Sequence, residues 1–411
     1  MRRTHLPAIA LTADHRDPGG PVEIRPLIAD DFEAHRHIVS LAFARGKTPE
    51  FTQDVYEQPD RTRLGAFENG RLQATLGILD FEFVFGEDRR PCGGIFGVAS
   101  DPAMRGRGFA GALVKRSLES MRERGLYLSS LWPFDFRYYR RFGWEWTGEE
   151  RTYVVPLELL PSSPESEHVE GVYGVAATVS RCRAIYDPFA SQYNGMLARP
   201  EDRWEKQVGP AGDRRRAAYV YRRDGRDEGY ALFRYGDKED ELRADELIAL
   251  TRRAYEGLLG VARRHAMTAK KLTWSGPLDD MFPSILTHWD VETKLEPAGM
   301  GRVVDARAAL EALHPPVDLR GEAVIALRDD HADWNAGPWR IAVEGGRVIV
   351  DRTTREPGIR MDIQALTQAY WGAPSLVDLW RWDRVVATDD SQLGLLTALL
   401  PPTPVWLHDG F

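Results

Sequence analysis

Cysteine is nearly absent: Cys92 and Cys182 are the two in 411 residues. So few thiols argue against a disulfide framework or a structural zinc site, and suit a reducing, cytoplasmic setting. Long apolar runs are missing as well. None approaches the ~20 residues a membrane-spanning helix needs. The run Leu6 to Leu11, behind Arg2-Arg3, is short, contains Pro7 and leads to no clear cleavage site. Positive charge is in deficit too, 54 Lys and Arg against 62 Asp and Glu, for a net charge of −8 at pH 7. Neither a membrane nor a nucleic acid is therefore an expected partner.

What remains is an ordinary globular composition, 43% hydrophobic and 28% charged. The length is too great for one core and points to two or three domains. One stretch organises the chain: Gly93 to Leu113, GGIFGVASDPAMRGRGFAGAL. Ile95 to Ser100 reads as a buried strand, which Asp101-Pro102 ends. Arg105-Gly106-Arg107-Gly108 follows, and from Phe109 the apolar residues Ala110, Leu113, Val114 and Leu118 recur at helical spacing. A strand, a glycine-rich turn and a helix start make an anion site. The first helix amides lack internal acceptors and lie at the positive end of the dipole. Glycines let the backbone approach a phosphate closely, and two arginines add charge. The same spacing recurs at Arg226-x-x-Gly229-x-Ala231, but there it runs into a strand and opens no helix.

In chain order, residues 1–21 read as a flexible leader. Val22–Pro26 is a strand and Asp30 caps a helix through Ala44, with His35 and His37 on different faces and both at the surface. Two strands, Arg63–Glu68 and Leu72–Val84, join at Asn69-Gly70, a hairpin signal. The organising stretch follows; its helix ends near Arg124-Gly125, and Leu126–Leu131 is a short strand. Asp135 caps a short helix over Phe136–Phe142, closed by Gly143, before a strand over Trp144–Val155. Residues 22–155 thus read as an α+β sheet domain. Pro156–Glu167 reads as a linker. Beyond it the alternation restarts over 156–300 without a comparable phosphate loop, as a degenerate repeat would. Residues 301–411 carry three further strands and helices, and Arg328-Asp-Asp-His331-Ala-Asp333 between two of them reads as a solvated loop. The tail Thr403–Phe411 is apolar for a terminus, and its Val405-Trp406-Leu407 run predicts docking.

The spacing Arg105-x-x-Gly108-x-Ala110 resembles the pyrophosphate loop of GNAT acetyltransferases. With Val98-Ala-Ser-Asp-Pro102, Tyr139-Arg-Arg-Phe-Gly143, the tandem domain and the terminal Phe411, the whole chain resembles the enhanced intracellular survival (Eis) family of aminoglycoside N-acetyltransferases. The resemblance implies two GNAT-like domains (22–155 catalytic, 156–300 degenerate) and a sterol-carrier-like domain (301–411). It also implies a splayed gap between the fourth and fifth strands. Acetyl-CoA as co-substrate, with no metal, would contact Val98, Ala99 and Ser100, then Arg105, Gly106, Arg107, Gly108, Phe109, Ala110 and Gly111, then Phe134 and Asp135. Tyr139 would be the general acid, with Tyr138 as understudy if the helix is rotated. The Phe411 C-terminal carboxylate would be the base. Acceptors would be primary amines of polycations, aminoglycosides or lysine side chains, and the assembly a hexamer. Gly410 stands where an acidic residue can precede the last Phe, which bears on substrate preference. Cys92 has no identifiable His partner, so a thiol nucleophile is not expected. A second reading is a binding protein with a vestigial loop, holding acetyl-CoA or an apolar ligand without turnover.

Overall fold

The computed structural model describes residues 22–44, 60–210, 216–236, 240–286, 288–289 and 291–410. The expected leader and Phe411 lie outside the described residues. Among the described residues no helix is long and apolar enough to cross a membrane.

Three sheets organise the chain. The first takes β1 (Glu23–Pro26), β2 (Arg61–Glu68), β3 (Arg71–Phe85), β4 (Asp88–Ser100), β5 (Leu128–Leu131) and β6 (Glu145–Trp146). The β2–β3 turn is the expected one: Asn69 and Gly70 take φ of 52° and 73°, as a type I′ hairpin requires. The second sheet takes β7 (Glu149–Pro156), β8 (Val169–Val172), β10 (Ala217–Arg223), β11 (Arg226–Tyr235), β12 (Glu241–Ala249), β13 (Lys271–Gly276) and β14 (Glu292–Pro297). Two strands cross back to the first sheet: β9 (Met196–Leu197) pairs with β3, and β15 (Met300–Val303) pairs with β5 and β6.

The orders are β1-β2-β3-β4-β5-β15-β6 and β8-β10-β11-β12-β13-β7-β14. Position by position they correspond. In each, the fourth and fifth strands are the parallel pair, with a helix between them in sequence, Phe109–Glu123 in one and Arg252–Arg263 in the other. In each, the sixth place is filled from the other lobe. The second lobe is a repeat of the first, and the two exchange a strand. The expected border at 155/156 therefore does not follow sheet membership. β7 reads locally as the end of the first domain, yet its partners are β13 and β14.

The third sheet, β18-β17-β16-β19-β20, joins β16 (Gly321–Arg328), β17 (Gly337–Glu344), β18 (Arg347–Arg352), β19 (Ile359–Asp362) and β20 (Val385–Ala387). Its core is continuous with the first lobe: Phe83, Phe85, Cys92 and Leu128 share one buried cluster with Leu366, Tyr370 and Trp371.

Two expected loops are structured. The segment read as a linker holds two short 3-10 turns, Leu157–Leu159 and Pro164–His168. The second lies so close to the helix Arg252–Arg263 that a Cβ on Gly257 would sit 2.9 Å from the Glu165 carbonyl oxygen. The loop over 328–333 is not solvated throughout. Asp329 is buried and accepts from Arg302 Nη2 at 2.9 and 3.0 Å, and His331 Nε2 is 2.6 Å from the Arg141 carbonyl. The tail is docked as its apolar run predicts, with Val405, Trp406 and Leu407 all buried.

Candidate active site

The site begins where a sheet opens. β4 and β5 pair in parallel from Cys92 opposite Leu128 to Ile95 opposite Leu131, and β4 continues to Ser100 without β5. Between Ala99 and Phe96 the β3 register slips, two β4 residues facing one on β3, with Gly97 at φ 59°. This is a bulge, and it bends β4 away from its neighbour. The backbone groups on the freed edge need partners from outside the sheet. Val98, Ala99 and Ser100 lie on this edge.

The chain then builds an anion cradle. Asp101 caps a 3-10 turn over Pro102–Met104, its carboxylate accepting from Ala103 N at 2.8 Å. Gly106 and Gly108 take φ of 80° and 85°, which a side chain resists. Gly108 is the N-cap of the helix Phe109–Glu123 and offers it no side-chain acceptor. The first intrahelical bond runs from Ala112 N to Gly108 O, leaving the amides of Phe109, Ala110 and Gly111 free of helix partners. Phe109 itself is buried, so it contributes an amide and an anchor, not a ring. Gly111 is a packing glycine: a Cβ there would stand 3.2 Å from Phe142 Cζ.

The two arginines differ. Arg107 is held by Glu68 at 2.6 and 3.1 Å. Arg105 is exposed and pairs with no described residue. A phosphate-bearing ligand fits this loop: free amides, open space at Gly106 and an uncommitted guanidinium converge there.

On the other side of the opening, Trp132-Pro-Phe-Asp135 leads from β5 to the helix Phe136–Arg140. Asp135 caps it, accepting from Arg137 N at 2.7 Å, and Arg137 holds its carboxyl below the usual range. Phe134 is exposed and packs against Tyr138 and Tyr139, centroids 5.2 and 5.4 Å away. Tyr139 is only 3% exposed, and no described residue hydrogen-bonds its hydroxyl. Burial, with Tyr138 adding, pushes its pKa far above the ordinary phenol value. Tyr138 is pushed up to about 12 by burial, against the neighbouring Arg141. Both phenols keep their protons at neutral pH.

His35, expected at the surface, is buried, with Nδ1 3.0 Å from Thr75 Oγ1. Burial, then Arg63, lowers its pKa to about 4. Thr75 faces Ala99 in register, so this neutral imidazole stands one strand from the opening. Its spacing to Ile38, on the same helix face, is the signal that could have found it. His37 is exposed as expected.

Residues 23–147 match the model of an acetyltransferase (GNAT) domain, residues 195–303 a second acetyltransferase (GNAT) domain, and residues 306–408 a sterol carrier protein domain. The chain is a GNAT-type acetyltransferase. Its architecture is two GNAT domains followed by a sterol-carrier-like one, and the second match ends on β15, the strand lent to the first sheet. The acetyltransferase is 26% identical over 422 residues to an uncharacterized N-acetyltransferase of Streptomyces avermitilis, covering 95% of this chain and 99% of the relative. It is 26% identical over 392 residues to one of Streptomyces griseus, covering 88% and 93%. Among solved structures it shares its fold with a GCN5-related N-acetyltransferase from Anabaena variabilis, at TM-score 0.83 and 21% identity over 95% of this chain and all of that one. Eis1 from Mycobacterium abscessus has the same fold, at TM-score 0.76, 24% identity, 95% and 100% coverage.

Proposed function

We propose that this acetyltransferase transfers an acetyl group from acetyl-CoA to a primary amine of a small polycation, aminoglycoside-like compounds being the class implied by the Eis resemblance. One observation carries the reading: a parallel strand pair opens beside an uncapped, glycine-rich helix N-terminus. The freed edge at Val98–Ser100 suits the amide-bearing arm of the co-substrate, and Arg105 with the amides of Phe109–Gly111 suits its phosphates. When bound, acetyl-CoA supplies the activated carbonyl and a thiol leaving group.

The chain's own residues then manage protons. An attacking amine must be neutral, so a carboxylate beside it both attracts the ammonium and takes its proton. We assign that task to the Phe411 carboxylate. The docked tail supports it, since the Cβ position of Gly410 lies 3.9 Å from Trp132 Nε1, directly after β5. Tyr139, protonated at neutral pH because of its burial, is assigned as the donor to the departing sulfur. Transfer is direct; the buried Cys92, its thiol pKa raised by desolvation, takes no part.

The test is thiol release from acetyl-CoA against kanamycin, spermidine and a lysine peptide, with the acetylated product confirmed by mass. Turnover on at least one amine, lost on deleting Phe411 while acetyl-CoA still binds, supports the full reading. Equal turnover without Phe411 removes that residue from the site. Binding of acetyl-CoA with no turnover on any amine favours the binding-protein reading.

A further inference from the structure

The second lobe repeats the first, bulge included: Leu232 faces Glu246 and Phe233 faces Ala244, so β12 carries one extra residue where β4 does. Its helix start is nevertheless built differently. The helix Arg252–Arg263 is capped by Thr251, whose Oγ1 accepts from Ala254 N at 3.3 Å. Tyr153, Trp274 and Phe282 pack together beside β13, ring centroids 4.8 to 5.0 Å apart.

What the second lobe carries instead is a buried charge cluster that ends on the tail. The Arg199 side chain is fully buried, donates to both Glu246 oxygens, and reaches Asp409 from Nε at 3.0 and 3.2 Å. Glu246 also accepts from Tyr230 at 2.6 Å and faces His408 Nε2 at 3.3 Å. Asp409 accepts from Tyr186 at 3.2 Å, and Arg203 donates to the Gly410 carbonyl. The guanidinium of Arg199 lies over the Tyr186 and Trp204 rings, 4.1 and 4.7 Å from their centroids.

The run before the cluster is seated as closely. Asn194 N and O bracket the tail at Pro404 and Trp406, at 2.9 and 3.1 Å. Glycines line the groove: a Cβ on Gly148 would stand 3.2 Å from Val405, and on Gly299 or Gly195 3.1 or 2.7 Å from Leu407. Apolar burial alone holds a tail but tolerates slippage. Buried ions are poor sources of net stability, and their best-attested use is to specify register.

We infer that Arg199, Glu246 and Asp409 are positioning residues for the first lobe's cleft. The disused second lobe is a clamp that sets the tail's register, so that its last residues meet the acceptor side beside Trp132. This rests on the acetyltransferase reading above.

The experiment uses the full chain and its Asp409→Asn variant, with and without Phe411. Measured are amine kcat and KM, the acetyl-CoA dissociation constant, and hydrogen exchange over residues 400–411. Asp409→Asn lowers amine kcat/KM at least tenfold, leaves acetyl-CoA binding within twofold, and raises exchange in the tail. Deleting Phe411 from the variant then adds little, because its end is already misplaced. Tyr186→Phe, which removes one bond to Asp409, shows the same pattern more weakly and serves if Asp409→Asn does not fold. Unchanged amine kinetics in both variants, or losses that simply multiply with the Phe411 deletion, overturn the clamp while leaving the acetyltransferase reading intact. An intact protein that binds acetyl-CoA and acetylates no amine overturns both.

Discussion

Ile95 pairs with Leu131, and there β4 and β5 part. Everything proposed for the first lobe depends on that divergence. It leaves a strand edge unpaired inside a folded sheet, and it points the edge toward a helix start without a cap. The second lobe diverges at the corresponding place, after Arg243 opposite Thr273. There the helix is capped and aromatic rings pack beside the strand. The same fold thus carries one helix start left uncapped and one capped.

The loop glycines are the first place to test this. At Gly108, φ is 85°, where an L side chain costs about 1–2 kcal/mol. Gly108→Ala therefore weakens acetyl-CoA binding roughly tenfold if the loop relaxes when empty. Calorimetric titration reads the change. Gly394→Ala, in the helix Asp390–Leu399 with open space around its Cβ position, leaves binding untouched and serves as the control.

Tyr139 separates chemistry from folding. Its ring is core, yet its hydroxyl has no described partner, so Tyr139→Phe should melt within about a degree of the parent. If the phenol protonates the departing thiol, kcat falls by about 10²–10⁴. Tyr138→Phe changes kcat far less. Its raised pKa also means that no alkaline limb from Tyr139 enters the kcat profile below pH 10.

Asp329 holds the third unit to the first lobe. It is the buried partner of Arg302, whose guanidinium would overlap a Cβ on Gly143, at the end of the Tyr139 helix. Burial, opposed by Asp329, lowers the Arg302 pKa. Asp329→Ala strands that charge and costs about 3–5 kcal/mol in urea denaturation. Arg302→Met with Asp329→Leu recovers most of the loss. Two losses that simply add would show the groups to be independent.

The tail clamp has a pH signature. Burial alone would depress His408, but the hydrogen bond and charge of Glu246, then Asp409, raise its pKa above 6.5 in spite of Arg199. Tyr186 and Tyr230, also in the cluster, keep their protons. A raised pKa in the fold gives stability that is full below the unfolded value of about 6.5 and lost as pH rises through the folded value. Comparing His408→Gln with the parent in urea at several pH values, the parent's advantage is largest below pH 6.5 and shrinks on the alkaline side.

Much of this was legible in local pattern. Asn69-Gly70, the Asp135 cap and the helix from Phe109 each carry their signal within a few residues. β4 was legible only from Ile95, because Pro91 and Gly93-Gly94 read as breakers. In the fold Pro91 precedes the stretch that β5 covers, and Gly93 gives Met121 of the loop helix room to pack. The strand exchange was not legible. A strand's propensity is written in its own residues, but β7 and β15 take partners far away in the sequence, Lys271–Gly276 for one and Leu128–Leu131 for the other. His35 and Asp329 were misread for a related reason: each is polar locally, and each is buried by a distant segment, Thr75 for one and Arg302 for the other.

The central claim, one working cleft in a tandem pair, is tested most directly by the stoichiometry of acetyl-CoA binding. Equilibrium titration of the full chain should give one acetyl-CoA per chain, and none at the same concentrations for Gly106→Val with Gly108→Val. Two equivalents per chain, or one that survives the loop substitutions, would contradict it.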